Sequence, residues 1–502
     1  MTADLAGGLG AIALFAVPGF ALTELFPGLR RRPLPRRAAY GYLLGVATVA
    51  GGLYALSHLG GVPLRQPAVW AAAAAPALAG AAACLLRRRR VWASARRGAD
   101  PASPTSAGAQ PPAGAAGPDA GRTQAVAGDG SRTAARVRGG RLAIACAVAA
   151  TVICIGVFAE AMTNPPHDWD GRMTWCAQAR YIRAAGTVDA AVLRDERSYI
   201  SHPQYPLLLP VAQVAVLEVF GADPDAPLPR AIYAAFLPAL LLVIYDGARR
   251  VAGRASAALA ALAAAAAPFV IRGEGGAEST YSDLPLACFY GAGLVLLLGG
   301  RPRAASGWAA GLLLAAAVLT KNEGAVFAAL ALALTWRSGR AGAVRFAAAA
   351  APVVLVLAFF ASWRAGIPNR QDENYPDILQ AGHLWPGIVT HVADFVPVML
   401  DKMNRFRHWA GFWWMAPVAL VAGRSALRHP LARRYLAAAA GPPLVAWAAY
   451  SVHPTPVNLA AVTWERFLLQ AAVPLLIVLA CAWAEVWRRL ARPTASPAGS
   501  DA

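Results

Sequence analysis

Asp168 and Asp170, separated only by Trp169, lie in the stretch 164–180, Asn-Pro-Pro-His-Asp-Trp-Asp-Gly-Arg-Met-Thr-Trp-Cys-Ala-Gln-Ala-Arg. The stretch begins where an apolar run, Leu142 to Met162, ends, so both carboxylates sit just beyond a predicted membrane span. Trp169 and Trp175 beside them favour the membrane–water interface. A carboxylate at that depth can meet a substrate whose tail lies in lipid and whose head lies in water. Asp170 can there take the proton of an acceptor hydroxyl, or help to hold a divalent cation such as Mg or Mn. Equally, an Asp at this place caps the helix that residues 171–185 predict. The two roles are compatible.

Four further polar islands interrupt the apolar sequence. Thr320-Lys-Asn-Glu-Gly324 sets Lys321 and Glu323 between two apolar runs, and ionisable groups at membrane depth mark functional sites. Lys321 suits a phosphate or its neighbour Glu323, although Asn-Glu-Gly also makes an ordinary hairpin turn. In Tyr281-Ser-Asp-Leu-Pro285, Asp283 opens a span, either lining a site or capping a helix ahead of Pro285. Ser201-His-Pro-Gln-Tyr-Pro206 offers His202 and Tyr205 to a substrate hydroxyl, although an isolated His is more often a surface or packing residue, and no second His stands at metal-ligand spacing. Arg466 in Trp464-Glu-Arg-Phe467 has the planar fork that grips a phosphate, or it snorkels beside an aromatic ring. Arg230, ahead of the next predicted span, has the same two readings.

The elements that position these residues are membrane helices. The chain has 502 residues, 57% of them hydrophobic and 15% charged, and its mean hydropathy is +0.45. A soluble protein of this length needs far more charged surface. The net charge of +19 falls in short runs between apolar segments, which is the positive-inside pattern and excludes nucleic acid as a partner. Six cysteines without a CxxC or Cys/His spacing exclude a disulfide framework and a zinc site.

About 20 apolar residues cross a bilayer. The predicted spans are Leu5–Phe26, Ala38–Leu59, Ala68–Leu86, Leu142–Met162, Pro229–Tyr245, Ser256–Ile271, Leu284–Leu298, Gly307–Leu319, Gly324–Trp336, Phe346–Trp363, Gly411–Val421, Tyr435–Tyr450 and Phe467–Trp487. That makes an all-α polytopic protein with about 13 spans by the length rule. The arginine runs from Arg30–Arg37 to Arg488–Arg492 then share one side, the cytoplasmic one, provided Pro206–Phe220 does not cross. That segment is expected at the interface, or dipping in from outside. The outer loops Thr163–Ala226, Arg272–Asp283, Gly366–Trp409 and Ser451–Arg466 gather the carboxylates opposite the arginines.

Residues 87–141, rich in Ala, Gly, Pro, Ser and Arg, predict a disordered cytoplasmic linker. It divides an N-terminal three-span unit, residues 1–86, from a membrane body over 142–489. A disordered tail is expected over 490–502.

Taken in order, Trp169-Asp-Gly-Arg-Met-Thr-Trp175, His202-Pro-Gln-Tyr-Pro-Leu-Leu-Leu-Pro210, Tyr281-Ser-Asp-Leu-Pro285, Leu319-Thr-Lys-Asn-Glu-Gly324 and Glu465-Arg-Phe-Leu468 resemble the motifs of the GT-C membrane glycosyltransferases. That superfamily includes protein O-mannosyltransferases and aminoarabinose-type transferases. The resemblance covers Leu142 to Arg489. It implies a GT-C fold with interfacial helices in the first large periplasmic loop, in the inner membrane. It also implies transfer, with inversion, of a sugar from a polyprenyl-phosphate donor to a glycan, lipid or protein. Asp170 would be the base, with Asp168 and Asp283 in the same cavity and Lys321 and Arg466 toward the donor phosphate. One position departs: Gln178 stands where relatives carry Lys, so Arg172 or Arg180 supplies the charge, or the donor differs.

A flippase for lipid-linked saccharides and a non-catalytic envelope-assembly subunit are the rival expectations. A transporter should show inverted repeats and broken helices near the midplane. Here the charges lie at the ends of spans.

Overall fold

The computed structural model describes residues 2–98, 129–299, 304–336, 339–368, 386 and 389–490, and the secondary structure of these residues is helical throughout. Helices α1 (Thr2–Leu22), α2 (Leu34–Gly60, widened at Val46–Ala50) and α3 (Gln66–Gly98) precede α4 (Asp129–Thr163). After α5 (Ala177–Ala185) and α6 (Leu208–Phe220) come α7 (Arg230–Ala252), α8 (Arg254–Ala266) and α9 (Asp283–Gly299). Next are α10 (Ala304–Thr320), α11 (Glu323–Thr335), α12 (Arg340–Arg364) and α13 (Val392–Asn404). The chain closes with α14 (Phe412–Ala422), α15 (Pro430–Val452) and α16 (Pro456–Leu490).

Seven of these helices are long and apolar enough to cross a membrane: α1, α2, α4, α7, α12 and α16, with α3 over Gln66–Arg90. The chain therefore has the character of a multi-pass membrane protein. The other predicted spans fall on α15 and on shorter apolar helices, among them α8 to α11 and α14.

Burial separates a centre from a periphery. In α16, 89% of the apolar stretch is buried, against 11% of that in α4. A helix that is apolar all round belongs inside, and α7, α9 and α16 pack against one another there. On α4, Ile144, Val148, Val152 and Ile155 lie exposed at helical spacing. Trp414, Met415, Val418 and Val421 do the same on α14. Such apolar stripes mark a membrane or protein contact.

Small residues let helices approach backbone to backbone. A Cβ on Gly19 of α1 would collide with the backbone of Gly41 and Gly45 of α2, and one on Gly311 of α10 with Ala349 of α12. Both pairs of helices are closely packed.

Three expectations change. First, α1 to α3 share one hydrophobic core with the body, and α1 and α2 pack on α7. They are not set apart in space. Second, helix extends into both ends of the expected linker, to Gly98 in α3 and from Asp129 in α4, and residues 99–128 lie outside the described residues. Ala and Arg are strong helix formers, and neighbouring turns carry them on. The expected tail beyond Leu490 also lies outside. Third, α6 does not lie along a surface: Leu208 to Leu217 are buried throughout. Those ten residues insert into the protein, and Phe220 at the end of the helix is exposed.

Candidate functional site

Asp168, Asp170, Asp283, Lys321, Glu323, Arg466 and Arg230, among the predicted site residues, gather around the loop 273–282, between α8 and α9. This loop folds on itself: Ala277 and Glu278 donate backbone N–H groups to Val270 and Ile271, and Leu284 donates to Gly275. Gly275 has φ +90, which favours glycine, and a Cβ there would press on the Asp283 side chain. The turn thus brings Asp283 in at the start of α9.

Asp170 precedes one turn of wide helix, Gly171–Cys176, but its side chain makes no cap bond to it. Its carboxylate instead takes Arg466 Nη1 at 2.9 Å, and its backbone N–H donates to the Tyr281 hydroxyl at 3.2 Å. Arg466 reaches there from α16. Its Nη2 also meets Glu274 at 3.1 Å, and its guanidinium lies 4.6 Å over the Tyr281 ring. Asp170 remains 31% exposed, enough for a reacting group to reach it. Glu274 is 62% exposed.

Asp283, also without a capping role, is 1% exposed and accepts from Lys321 Nζ at 2.9 Å and Gln470 Nε2 at 3.1 Å. Lys321 meets Glu323 at 2.9 Å as well. The expected readings of this turn as a plain solvated hairpin and of Asp283 as a simple cap therefore give way to a buried charge network. Asp283 Oδ2 and Arg466 Nε, both buried, have no partner among the described residues. The network therefore keeps hydrogen-bonding capacity for a ligand.

Asp168 sits behind Asp170, its Oδ2 accepting from the Thr280 N–H at 3.3 Å. Gly171 makes this approach feasible, because a Cβ there would strike the Thr280 hydroxyl. Burial raises the Asp168 carboxyl above its ordinary range. The folded chain therefore holds this proton to higher pH than the unfolded chain, and folding is penalised as pH rises through that window. Asp168→Asn removes the penalty. Its melting temperature should match wild type near about pH 4 and exceed it near about pH 7. Melting curves that stay parallel across this range would refute the assignment.

Arg230, at the start of α7, donates to the Asn164 carbonyl and to Glu160, both at 2.7 Å, and to the Glu278 carbonyl. It is 1% exposed. The expected phosphate clamp is here a brace tying the end of α4 to the 273–282 loop.

His202 and Tyr205 stand apart from this cluster. They form a stack with Trp175, which is buried rather than at an interface, while Trp169 is exposed. Gln178 explains the stack's position: its amide donates to the Ser201 and His202 carbonyls at 2.8 and 2.9 Å. His202 itself has φ 45. Arg180 pairs with Asp225 at 2.6 Å, and Arg172 is exposed. Neither joins the Asp170 cluster. Among the described residues no three His, Cys, Asp or Glu side chains gather as a metal site. Asp372, Glu373 and Asp377 lie outside the described residues.

Two features escaped the sequence reading. Gln470 is a lone polar residue within the apolar run 467–484 of α16, the most buried of the seven long helices, and that was its signal. Glu465 takes His408 Nδ1 at 2.6 Å and Lys402 at 3.4 Å, a grouping no local spacing announces. No protein-family model, curated protein or solved structure matches this chain.

Proposed function

We propose that this chain is a GT-C-like integral-membrane glycosyltransferase with about 13 spans by the length rule. It would take a sugar from a polyprenyl-phosphate donor and pass it to a glycan, lipid or protein acceptor at the periplasmic face of the inner membrane. The observation that carries the reading is the pairing of a part-exposed carboxylate, Asp170, with an almost buried guanidinium, Arg466, at the end of an apolar helix bundle. Asp170 takes the proton of the acceptor hydroxyl as its oxygen bonds to the anomeric carbon. The bond from that carbon to the phosphate oxygen breaks, and the lipid phosphate leaves with the electron pair. Arg466, with the exposed Glu274 displaced, stabilises the negative charge on the leaving phosphate. Lys321 holds Asp283 and Glu323 in place and so supports the wall of the site.

Donor binding tests this directly. Purified protein in lipid nanodiscs is presented with polyprenyl-phosphate sugars and nucleotide sugars, and retained ligand is read by native mass spectrometry. Wild type should retain a lipid-phosphate sugar, and Arg466→Ala should weaken retention at least about tenfold, the loss of one charge-assisted contact. A folded wild type that retains no lipid-linked sugar rules the reading out. Retention followed by transbilayer movement that survives Asp170→Asn, with no transfer, favours a flippase.

A further inference from the structure

Asp246 lies at the other end of α7 from Arg230, about 24 Å along the axis at about 1.5 Å per residue. It is 2% exposed and carries three arginines: Arg32, Arg36 at 2.8 Å and Arg250 at 2.8 Å. The Tyr40 hydroxyl donates to it at 3.1 Å, and the Arg32 guanidinium lies 4.3 Å over the Tyr40 ring. Gly299 leaves room for Arg250, whose guanidinium occupies the space a Cβ would fill. These groups border a cavity of about 330 Å³ whose lining also includes Arg31, exposed, and the backbone turn at Pro27 and Gly28.

One carboxylate balances one of three guanidiniums, so the cluster keeps a positive excess, and Arg31 adds to it. An uncompensated charge that is mostly buried is costly, and a counter-anion relieves it. Donor capacity points the same way. Each guanidinium has five N–H groups, yet Arg32, Arg36 and Arg250 together make four hydrogen bonds to the described residues. Forked guanidiniums around a concave space match the oxygens of a phosphate group.

We infer that this arginine-lined cavity is a phosphate-binding site, distinct from the Asp170 cluster, for a soluble phosphate or a phospholipid headgroup. It rests on none of the catalytic assignments above.

The test uses the full chain. In detergent free of acidic lipid, inorganic phosphate and pyrophosphate are titrated by equilibrium dialysis. In nanodiscs of phosphatidylcholine with or without phosphatidylglycerol, retained lipid is counted by native mass spectrometry. Wild type should bind at least one of the three probes saturably. Arg36→Gln and Arg31→Gln should each weaken that binding about tenfold, the value of one charge-assisted contact. Arg65→Gln, in the turn beyond the far end of α2 and beside Glu218, should leave it unchanged. Binding of a soluble anion, or of phosphatidylglycerol alone, identifies the source of the phosphate. If Arg36→Gln does not fold, Arg31→Gln carries the test. Absence of saturable binding by folded wild type, or equal binding in all variants, overturns the site.

Discussion

Asp170→Asn is expected to lower sugar transfer by about 10²- to 10⁴-fold, the usual contribution of a positioned base, while donor retention stays near wild type. The amide is nearly isosteric, so the backbone bond to Tyr281 and the loop around it persist. What is lost is the proton acceptor and the ion pair with Arg466. Arg466 keeps Glu274 and the face of Tyr281, so it remains held at the site. Steady-state transfer with a purified acceptor, measured beside donor retention, separates the two effects. A variant that transfers at wild-type rate would remove Asp170 from the chemistry, and one that loses donor retention equally would make it a binding residue.

The second large effect is on stability. Lys321→Met leaves Asp283 buried with only Gln470 as a donor, and removing one partner of a buried pair costs about 3–5 kcal/mol. Asp283→Asn should cost less, about 1–3 kcal/mol, because Lys321 keeps Glu323 and the Gln470 bond can survive. The double variant Lys321→Met/Asp283→Asn should recover a good part of the Lys321→Met loss, since no uncompensated carboxylate then remains at Asp283. Unfolding midpoints of the four proteins in one detergent give the coupling. Single variants within about 0.5 kcal/mol of wild type would show that the pair contributes nothing.

The architecture was legible where it depends on composition alone. Long apolar runs bounded by arginines became α1, α2, α3, α4, α7, α12 and α16, because a run of that length reads as a candidate membrane span. Helix ends were harder to read. The span expected to stop at Tyr245 continues to Ala252, and so takes in Asp246, whose partners Arg32 and Arg36 lie far away in sequence. Asp168, Asp170, Asp283, Lys321, Glu323 and Arg466 were picked out as polar residues at the ends of apolar runs, and the fold brings them together. Their pairing was not legible. Asp170 and Arg466 are 296 positions apart, and Asp283 could be told from a cap only by seeing Lys321 against it. Local spacing reports what shares a helix face, not which helix end lies opposite. His202 stood out on the same local grounds and Arg172 and Arg180 only through the resemblance, and tertiary packing places all three elsewhere.

The Asp246 cluster also orders events during synthesis. Arg32 emerges 214 positions before the carboxylate that receives it. At about 5–20 residues per second, that is a wait of about 10 to 40 s. Until α7 arrives, Arg32 and Arg36 lack Asp246, whereas Arg37 can already pair with Glu24 at 2.6 Å. Arrival of α7 then adds this pairing to an N-terminal unit in which α1 packs on both α2 and α3, so the Asp246 contact waits for α7 while those contacts do not.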